Sequence, residues 1–252
     1  MNETSKSFSW DSTWQGKTTK LDLTRSIMWK KLCQHVKLQQ RSYMEIGAGS
    51  GVFGKLALEA GATQICLLDN SKNAIQMCKN YLGEHPQATY VLADAFTYEP
   101  EETFDVVISN GLIEHFLDQE QADIVQAHVR CSHDLVVFMV PASPHFNDRR
   151  CKYPWALKKY GPQYPISKEQ MKAVLDQANL ETVVIERFYP MYSIRLKRLF
   201  AKEYKLFNFI DPYLSKIGLY HLLTWLTNPF GRWWGGYLIG VGRVKNAQRE
   251  NA

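Results

Sequence analysis

The stretch Ser42-Tyr43-Met44-Glu45-Ile46-Gly47-Ala48-Gly49-Ser50-Gly51 decides the fold of this chain. It joins a short apolar run to a glycine-rich turn, and the helix-forming residues 52–60 follow directly. Glycines in such a turn permit a tight bend and let the backbone approach a ligand, while the first turn of the next helix offers free N–H groups. The stretch therefore predicts a strand, a ligand-binding loop and a helix in succession.

The same alternation continues on the C-terminal side of this stretch. Apolar runs predict seven strands: 42–46, 64–68, 88–92, 104–109, 135–140, 181–188 and 236–244. Helical patterns occupy 20–38, 52–60, 72–82, 117–129 and 167–179, the last opening with a Ser167-x-x-Gln170 capping box. Most strand runs are apolar throughout, as in strands that are buried on both faces. The pattern predicts an α/β fold with a doubly wound, mainly parallel sheet.

Composition excludes several other classes of protein. The 252 residues are 45% hydrophobic and 22% charged, which is typical of a globular chain and excludes disorder and collagen. The five cysteines form no C-x-x-C pair, which favours a reduced, cytoplasmic protein over a disulfide framework. The polar N-terminus predicts no secretory signal, and the weakly charged stretch 217–231 is too short to predict a membrane-spanning helix.

We predict one domain overall, with four parts. These are an N-terminal arm and helix (1–39), a ligand-binding core (40–191), a helical insertion between strands six and seven (192–234), and a last strand with a basic tail (235–252). The arm is polar but carries two tryptophans, Trp10 and Trp14. Residues 141–166 contain five prolines and are predicted to form an irregular, functional loop.

The insertion 192–234 has an unusual composition. Eleven of its 43 residues are aromatic, and residues 187–252 carry 11 basic and 3 acidic side chains. Basic amphipathic segments with Trp and Phe bind membrane surfaces, but such a segment also suits a lid over a substrate or a dimer interface. All three interpretations stay open, and the oligomeric state is not predicted.

Three carboxylates lie at or just after the ends of the first three strands: Glu45, Asp69 and Asp94. The loop also contains the dinucleotide pattern Gly49-x-Gly51-x-x-Gly54. Three acids around one crevice would repel the pyrophosphate of a dinucleotide, whereas they suit S-adenosylmethionine, which carries a sulfonium and an ammonium group. Asp69 alone fits the ribose of either cofactor.

These residues, together with the strand Phe104–Ser109, resemble the class I S-adenosylmethionine-dependent methyltransferases, in particular the group that acts on small molecules and lipids. The resemblance covers about residues 40–190 and implies a seven-stranded Rossmann-like sheet with an antiparallel strand seven. It implies that Gly47, Gly49 and Gly51 line the methionine part of the cofactor, with Glu45 near its amino group. It further implies that Asp69 holds the ribose, Asp94 and Ala95 the adenine, and that Asn110 lies beside the sulfonium. Ala48 and Asn70 complete the predicted set of cofactor-binding residues.

The segment after strand four, Asn110-Gly111-Leu112-Ile113-Glu114-His115-Phe116, is the candidate site of chemistry. His115 is either a general base or a histidine that packs and shapes the pocket. Ile113-Glu114-His115 is similar to a stretch in ubiquinone-biosynthesis O-methyltransferases, which bind a metal through a further glutamate three positions before the Glu-His pair. Gly111 stands at that place here, so we predict no metal.

We therefore expect a methyltransferase for a small-molecule or lipid-like acceptor, with O-, N- and C-methylation all open. An acidic pocket mouth beside a basic, aromatic insertion favours an amphipathic or anionic acceptor. The alternatives are an NAD(P)-dependent oxidoreductase and a non-catalytic membrane-surface module that keeps the fold. The motifs of DNA methyltransferases, Asn/Asp-Pro-Pro-aromatic and Pro-Cys, are missing from the chain, so nucleic acid is not favoured. We expect a cytoplasmic protein, and contact with the inner face of a membrane is one of the three open interpretations of 192–234.

Overall fold

Strands and helices alternate along most of the chain, as the sequence predicts. The computed structural model describes residues 8–17, 19–144, 147–188, 222, 226 and 230–245. The described elements are α1 (Trp10–Trp14), α2 (Leu23–His35), β1 (Ser42–Ile46), α3 (Val52–Glu59), β2 (Gln64–Asp69), α4 (Lys72–Leu82), β3 (Ala88–Leu92), β4 (Phe104–Asn110), a 3-10 turn (Ile113–His115), α5 (Asp118–Arg130), β5 (Ser132–Pro141), α6 (Asn147–Arg150), α7 (Pro154–Tyr160), α8 (Lys168–Gln177), β6 (Leu180–Phe188), α9 (Gly231–Trp234) and β7 (Tyr237–Val244).

The seven strands form one sheet in the order β3-β2-β1-β4-β5-β7-β6. Strands β1 to β5 pair in parallel, while β7 is antiparallel to both of its neighbours, β5 and β6. The strand order changes direction between β1 and β4, and ligands of open α/β sheets bind at the carboxyl ends of the strands beside such a point. The predicted doubly wound sheet, with its antiparallel seventh strand, is confirmed.

Helices cover both faces of the sheet, which explains the continuous apolar runs. Along β1, Tyr43 faces a core with α2 and α3, whereas Met44 faces the opposite core with Leu68 and Val107. Successive side chains of a strand point to opposite faces, so a strand that is covered on both sides needs apolar residues at every position.

Side-chain caps fix where several helices begin. Asp22 caps α2, Ser71 caps α4, and Ser167 caps α8 by accepting a hydrogen bond from the backbone N–H three residues later. At α8 the side chain of Gln170 bonds back to the N–H of Ser167, which confirms the predicted capping box.

Two segments for which the sequence predicts no helix, the loop 141–166 and the polar N-terminal arm, contain short helices. Within 141–166, Pro154 occupies the first turn of α7, where a missing N–H costs no hydrogen bond. Within the N-terminal arm, Ser9 caps α1 by accepting from the N–H of Ser12. Periodicity identifies neither helix because each has fewer than two full turns.

The predicted insertion 192–234 lies outside the described residues except for 222, 226 and 230–234. The described apolar side chains Leu222, Leu226, Phe230 and Trp233 are exposed. Helix α9 leads into β7 beside β6, where Arg232 Nε lies 3.2 Å from Glu186 Oε1. Among the residues the structure describes, no helix has the length and apolarity needed to cross a bilayer.

Candidate functional site

A cavity of about 200 Å³ opens at the carboxyl ends of β1, β2 and β4, beside the point where the strand order changes direction. Nine of the ten predicted cofactor-binding residues line it: Glu45, Gly47, Ala48, Gly49, Asp69, Asn70, Asp94, Ala95 and Asn110. The topology therefore brings together residues that are up to 65 positions apart in the sequence.

The glycine loop is held against the end of β2. Gly47 has a φ of +71° and donates its N–H to the Leu68 carbonyl at 2.8 Å, and Ala48 donates to the same oxygen at 3.0 Å. Gly49 has a φ of +53° and donates to Asp69 Oδ2 at 2.9 Å. Because glycine adopts positive φ without strain, the loop can turn its backbone toward the cavity.

Gly51 differs from the prediction, since it does not line the cavity. It stands immediately before α3 with a φ of +69°, and a Cβ there would lie 3.0 Å from Cys78 Sγ on α4. The missing side chain thus allows α3 and α4 to pack closely. A Cβ at Gly54 would lie 2.6 Å from the Leu67 side chain, so this glycine lets α3 approach β2.

Glu45 is a buried carboxyl group at the end of β1, only 4% exposed. Burial raises its pKa to about 8, and nearby Asp69 adds to the rise, while a hydrogen bond from the Gly54 N–H acts in the opposite direction. That N–H belongs to the first turn of α3, where helix N–H groups have no partner within the helix. The buried Tyr43 hydroxyl also favours the charged form of Glu45. Oε2 has no partner within hydrogen-bond distance among the described residues. It is therefore an acceptor that a cationic donor in the cavity would satisfy.

Asp69 connects the glycine loop to the start of α4. Its Oδ2 accepts from the Gly49 N–H and its Oδ1 from the Ser71 N–H, both at 2.9 Å. Burial raises its pKa, whereas the N–H groups of Ser71, Gly49 and Asn70 oppose that rise. Since each carboxylate oxygen has two acceptor positions, Asp69 can still accept from ligand hydroxyl groups.

Asp94 follows β3 and starts the turn at one end of the cavity. Its Oδ1 accepts from the Phe96 N–H at 3.0 Å, the short-range bond that an aspartate makes in a turn. Phe96 lines the cavity and packs edge-on against Phe116, with ring centroids 5.2 Å apart. This part of the cavity wall combines an aromatic ring with one carboxyl group, which suits the binding of a base.

His115 is buried beside the cavity and does not line it. Its Nδ1 lies 2.6 Å from the Pro162 carbonyl oxygen, so Nδ1 carries a proton, and its Nε2 lies 3.9 Å from Glu114 Oε1. Burial lowers its pKa to about 4, and the carbonyls of Pro162 and Gly111 act against this. The imidazole is therefore neutral at pH 7 but only weakly basic. Its role as a base remains a prediction.

Glu114 is completely buried next to His115. Burial raises its pKa to about 8, and the backbone, Arg150 and Gln163 favour the charged form. Gln163 donates to Oε1 at 3.4 Å, and Oε2 has no hydrogen-bond partner in the described part of the chain. Over the described residues, no group of three or more His, Cys, Asp and Glu side chains converges as a metal site would require.

Three further cavity residues, Trp10, Trp14 and Arg25, were not predicted to belong to the site. The two tryptophans belong to α1, and their presence in an otherwise polar arm was the only signal in the sequence. Arg25 lies in the first turn of α2, where its N–H bonds to the Asp22 cap, and no motif marks it. Its guanidinium, which lies 3.3 Å from Asp22 Oδ2, and the Glu45 carboxyl group bring a cation and an acid to the same cavity.

This donor set fits S-adenosylmethionine. An amino-acid end carries an ammonium and a carboxylate, which match Glu45 and Arg25 in charge. Ribose hydroxyls match the Asp69 carboxylate, and adenine matches the wall of Asp94 and Phe96.

Comparison with known sequences gives two matches. Residues 44–133 match the methyltransferase domain family. Malonyl-[acyl-carrier protein] O-methyltransferase 1 of Ilyobacter polytropus is 30% identical over 86 residues, or 34% of this chain. The match spans 32% of that relative, so the chain covers about a third of its length.

Comparison with solved structures gives the same fold. An S-adenosylmethionine-dependent methyltransferase from Mesorhizobium loti has a TM-score of 0.58 at 16% identity, over 86% of this chain and 97% of its own. Magnesium protoporphyrin IX methyltransferase from Synechocystis, with S-adenosylhomocysteine bound, has a TM-score of 0.57 at 11% identity, over 93% and 94%. Mycolic acid cyclopropane synthase CmaA1 has a TM-score of 0.58 at 14% identity, over 88% and 85%. The resemblance to class I methyltransferases is confirmed, by sequence for 44–133 and by fold for most of the chain.

Proposed function

We propose that this chain transfers the methyl group of S-adenosylmethionine to a small-molecule or lipid-like acceptor. The observation that carries the proposal is the convergence of Glu45, Asp69 and Asp94 on one cavity at the carboxyl ends of the strands. Glu45 is central because its buried Oε2 lacks a partner among the described residues, which a ligand ammonium group would supply.

The residues around the cavity account for binding and orientation. Glu45 and Arg25 would hold the amino-acid end, Asp69 the ribose, and Asp94 with Phe96 the adenine. When bound, the cofactor supplies an electrophilic methyl group on a positively charged sulfur. The protein's own contribution is then to hold an acceptor in line with that group and to exclude water, which can supply a large share of the rate. His115 is the nearby group that could accept a proton from a hydroxyl or amine acceptor.

The nicotinamide alternative is weaker on the same geometry. A dinucleotide would place its pyrophosphate against the first turn of α3, where the Glu45 carboxyl group already accepts the Gly54 N–H. Two other acids, Asp69 and Asp94, line the same cavity, and their carboxylates would repel a pyrophosphate.

We infer further that the acceptor is anionic. Lys17, Lys159 and Arg25 lie close together near the cavity, and the pKa of Lys17 is lowered by burial and then by the charges of Lys159 and Arg25. Residues 147–160, which form α6 and α7, contain five basic residues and one acidic residue. Like charges destabilise one another, so such a cluster favours an anionic partner. The name of the Ilyobacter relative, a malonyl-carrier O-methyltransferase, agrees with an acidic acceptor.

The proposal includes a contact with a membrane surface through 192–234, at the cytoplasmic side. The exposed Leu222, Leu226, Phe230 and Trp233, in a segment rich in Lys and Arg, support it. Cosedimentation with anionic vesicles, compared with neutral ones, tests this part. Equal recovery in the supernatant with both would remove the membrane from the proposal.

Calorimetric titration with S-adenosylhomocysteine, with NADH as the control ligand, tests the cofactor. We expect micromolar binding of S-adenosylhomocysteine alone, and its loss in Asp69→Ala. Asp176→Ala is the matched control, because this exposed carboxylate pairs with Lys172 on α8 and does not line the cavity. Binding of NADH instead would move the protein to the oxidoreductases.

Transfer of a labelled methyl group to carboxylated acceptors, compared with the matching amides, tests the acceptor class.

A further inference from the structure

We propose that residues 8–17 close the cofactor cavity, with Trp14 as a cofactor-binding residue and Asp11 as the residue that positions it. This rests on the proposed function, because the ligand that Trp14 would cover is the cofactor. We call residues 8–17 the N-terminal closure.

The closure supplies the outer wall of the cavity. Trp10 and Trp14, at the two ends of α1, both line it. The Trp14 indole lies against the glycine loop so closely that a Cβ on Gly49 would be 2.7 Å from its Cζ2 and 2.8 Å from its Cη2. The loop that binds the cofactor and the ring that covers it are thus in direct contact, and Gly49 makes that approach possible.

Asp11 attaches the closure to the start of α4. Its Oδ1 accepts from Ser71 Oγ at 2.8 Å and from the Asn73 N–H at 2.9 Å, and its Oδ2 accepts from Asn73 Nδ2 at 2.8 Å. A carboxylate is favoured at a helix N-terminus because the first N–H groups there lack partners in the helix. Ser71 and Asn73 lie two and four residues after Asp69, so the attachment point adjoins the predicted ribose site.

The closure depends on these contacts for its structure. Helix α1 has five residues and none of them is buried, and a helix of that length is not stable alone in water. Besides Asp11, it is held by Phe8 against Gly161, by Trp10 against the ring of His115 at 4.7 Å, and by Thr19, just beyond it, which donates to the Ser50 carbonyl at 3.1 Å.

A segment held by few surface contacts opens at low free-energy cost, compared with the core elements. Because the closure forms the outer wall, the cofactor would enter and leave when it opens, and Asp11 would set how long the cofactor stays. Trp14 would act on the bound cofactor through its ring, and Asp11 only through the position of Trp14.

The test measures the dissociation rate of radiolabelled S-adenosylhomocysteine and, by calorimetry, its affinity. The variants are Asp11→Ala, Asn73→Ala, Trp14→Leu and the conservative Trp14→Phe, with Asp176→Ala as the surface control. Thermal melting of each variant checks that it is folded. Asp11 is on the surface, so its replacement leaves the core intact.

We expect dissociation to be about tenfold faster in Asp11→Ala and in Trp14→Leu, close to wild type in Trp14→Phe, and unchanged in Asp176→Ala. The double variant Asp11→Ala/Asn73→Ala should be no faster than Asp11→Ala, since both changes break the same attachment. If the wild type binds and both Asp11→Ala and Trp14→Leu stay within twofold of it, the closure proposal is wrong while the proposed function stands. If the wild type binds no S-adenosylhomocysteine, both fail.

Discussion

Glu45 shows how one residue serves the fold and the site together. Its carboxyl group interacts with the Gly54 N–H at the start of α3, a helix whose N-cap residue, Gly51, has no side chain to do so. Glu45 Oε2 has no partner within hydrogen-bond distance among the described residues and belongs to a cavity-lining side chain. With a pKa near 8, Glu45 is protonated at neutral pH without ligand. A cation in the cavity would favour its charged form, so binding should release a proton.

We predict that Glu45→Gln weakens binding of S-adenosylhomocysteine by about 10- to 100-fold, the effect of losing a hydrogen bond to a charged group. Glutamine keeps the bond from the Gly54 N–H, so the fold should be retained. Calorimetry at pH 7 in buffers of different ionisation enthalpy should show proton release for the wild type and less for the variant. Equal proton release in both would show that Glu45 does not ionise on binding.

Two glycines with positive φ allow the contact with Trp14 to be measured. Gly49 and Gly83 have φ values of +53° and +75°, but a Cβ at Gly83 would have no atom within 4 Å. Both Gly49→Ala and Gly83→Ala should lose about 1 kcal/mol or more of stability from backbone strain. Only Gly49→Ala should also displace Trp14 and weaken S-adenosylhomocysteine binding, by about tenfold or more. Calorimetry measures the affinity of the two variants for S-adenosylhomocysteine. An equal affinity in both would contradict a contact between Gly49 and Trp14 that matters for binding.

At the scale of elements, the sequence predicts what local periodicity controls. All seven strands and the helices α2, α3, α4, α5 and α8 are at the expected places, because continuous apolar runs and caps are local signals. The short helices α1, α6 and α7 are not predicted, since their conformation depends on the surfaces that they contact. Gly51 is the corresponding case in the site, because the close packing of α3 and α4 at this glycine was not predicted.

Two helix caps, Ser71 and Ser167, allow the effect of a lost cap on stability to be distinguished from its effect on cofactor binding. Ser71 Oγ accepts from the Ala74 N–H at 3.1 Å and also donates to Asp11, whereas Ser167 caps α8 and makes no contact with the site. Ser71→Ala and Ser167→Ala should each lower the unfolding free energy by about 1 kcal/mol. Only Ser71→Ala should speed dissociation of S-adenosylhomocysteine, by a few-fold, because Asn73 still holds Asp11. Urea unfolding and dissociation kinetics measure the two effects. If S-adenosylhomocysteine dissociates from both variants at the same rate, the hydrogen bond from Ser71 does not hold Asp11 in place.

At the scale of the whole molecule, the site combines residues that were predictable with residues that were not. Glu45, Asp69, Asp94 and Asn110 were placed at the cavity correctly because parallel strands bring their carboxyl ends to one edge of the sheet. Arg25 and Trp14 reach the same cavity through the path of the N-terminal segment over the finished sheet. No strand ends at either residue, so spacing along the chain does not indicate them.

The buried titratable groups make the stability of the ligand-free protein depend on pH. The pKa values of Glu45 and Glu114 are raised to about 8. Their contribution to the free energy of unfolding is therefore fully present below about pH 4.5, and it is lost as the pH rises toward 8. The pKa values of His115 and His128 are lowered to about 4, so their contribution is present above about pH 6.5 and is lost as the pH falls. From pH 4.5 to 6.5 the glutamates and the histidines change the unfolding free energy in opposite directions. Of these four groups, only the glutamates still change it above pH 6.5.

We therefore expect the unfolding free energy to fall between pH 6.5 and 8, by about 1–2 kcal/mol for each glutamate. Urea unfolding at several pH values measures this. Glu114→Gln should remove about half of the fall and leave S-adenosylhomocysteine affinity nearly unchanged, because Glu114 does not line the cavity. Saturating S-adenosylhomocysteine should remove the share of this fall in unfolding free energy that Glu45 causes, since the bound ammonium would stabilise the charged carboxylate. A stability that is constant or rises from pH 6.5 to 8 would mean that water or a counter-charge reaches both carboxyl groups.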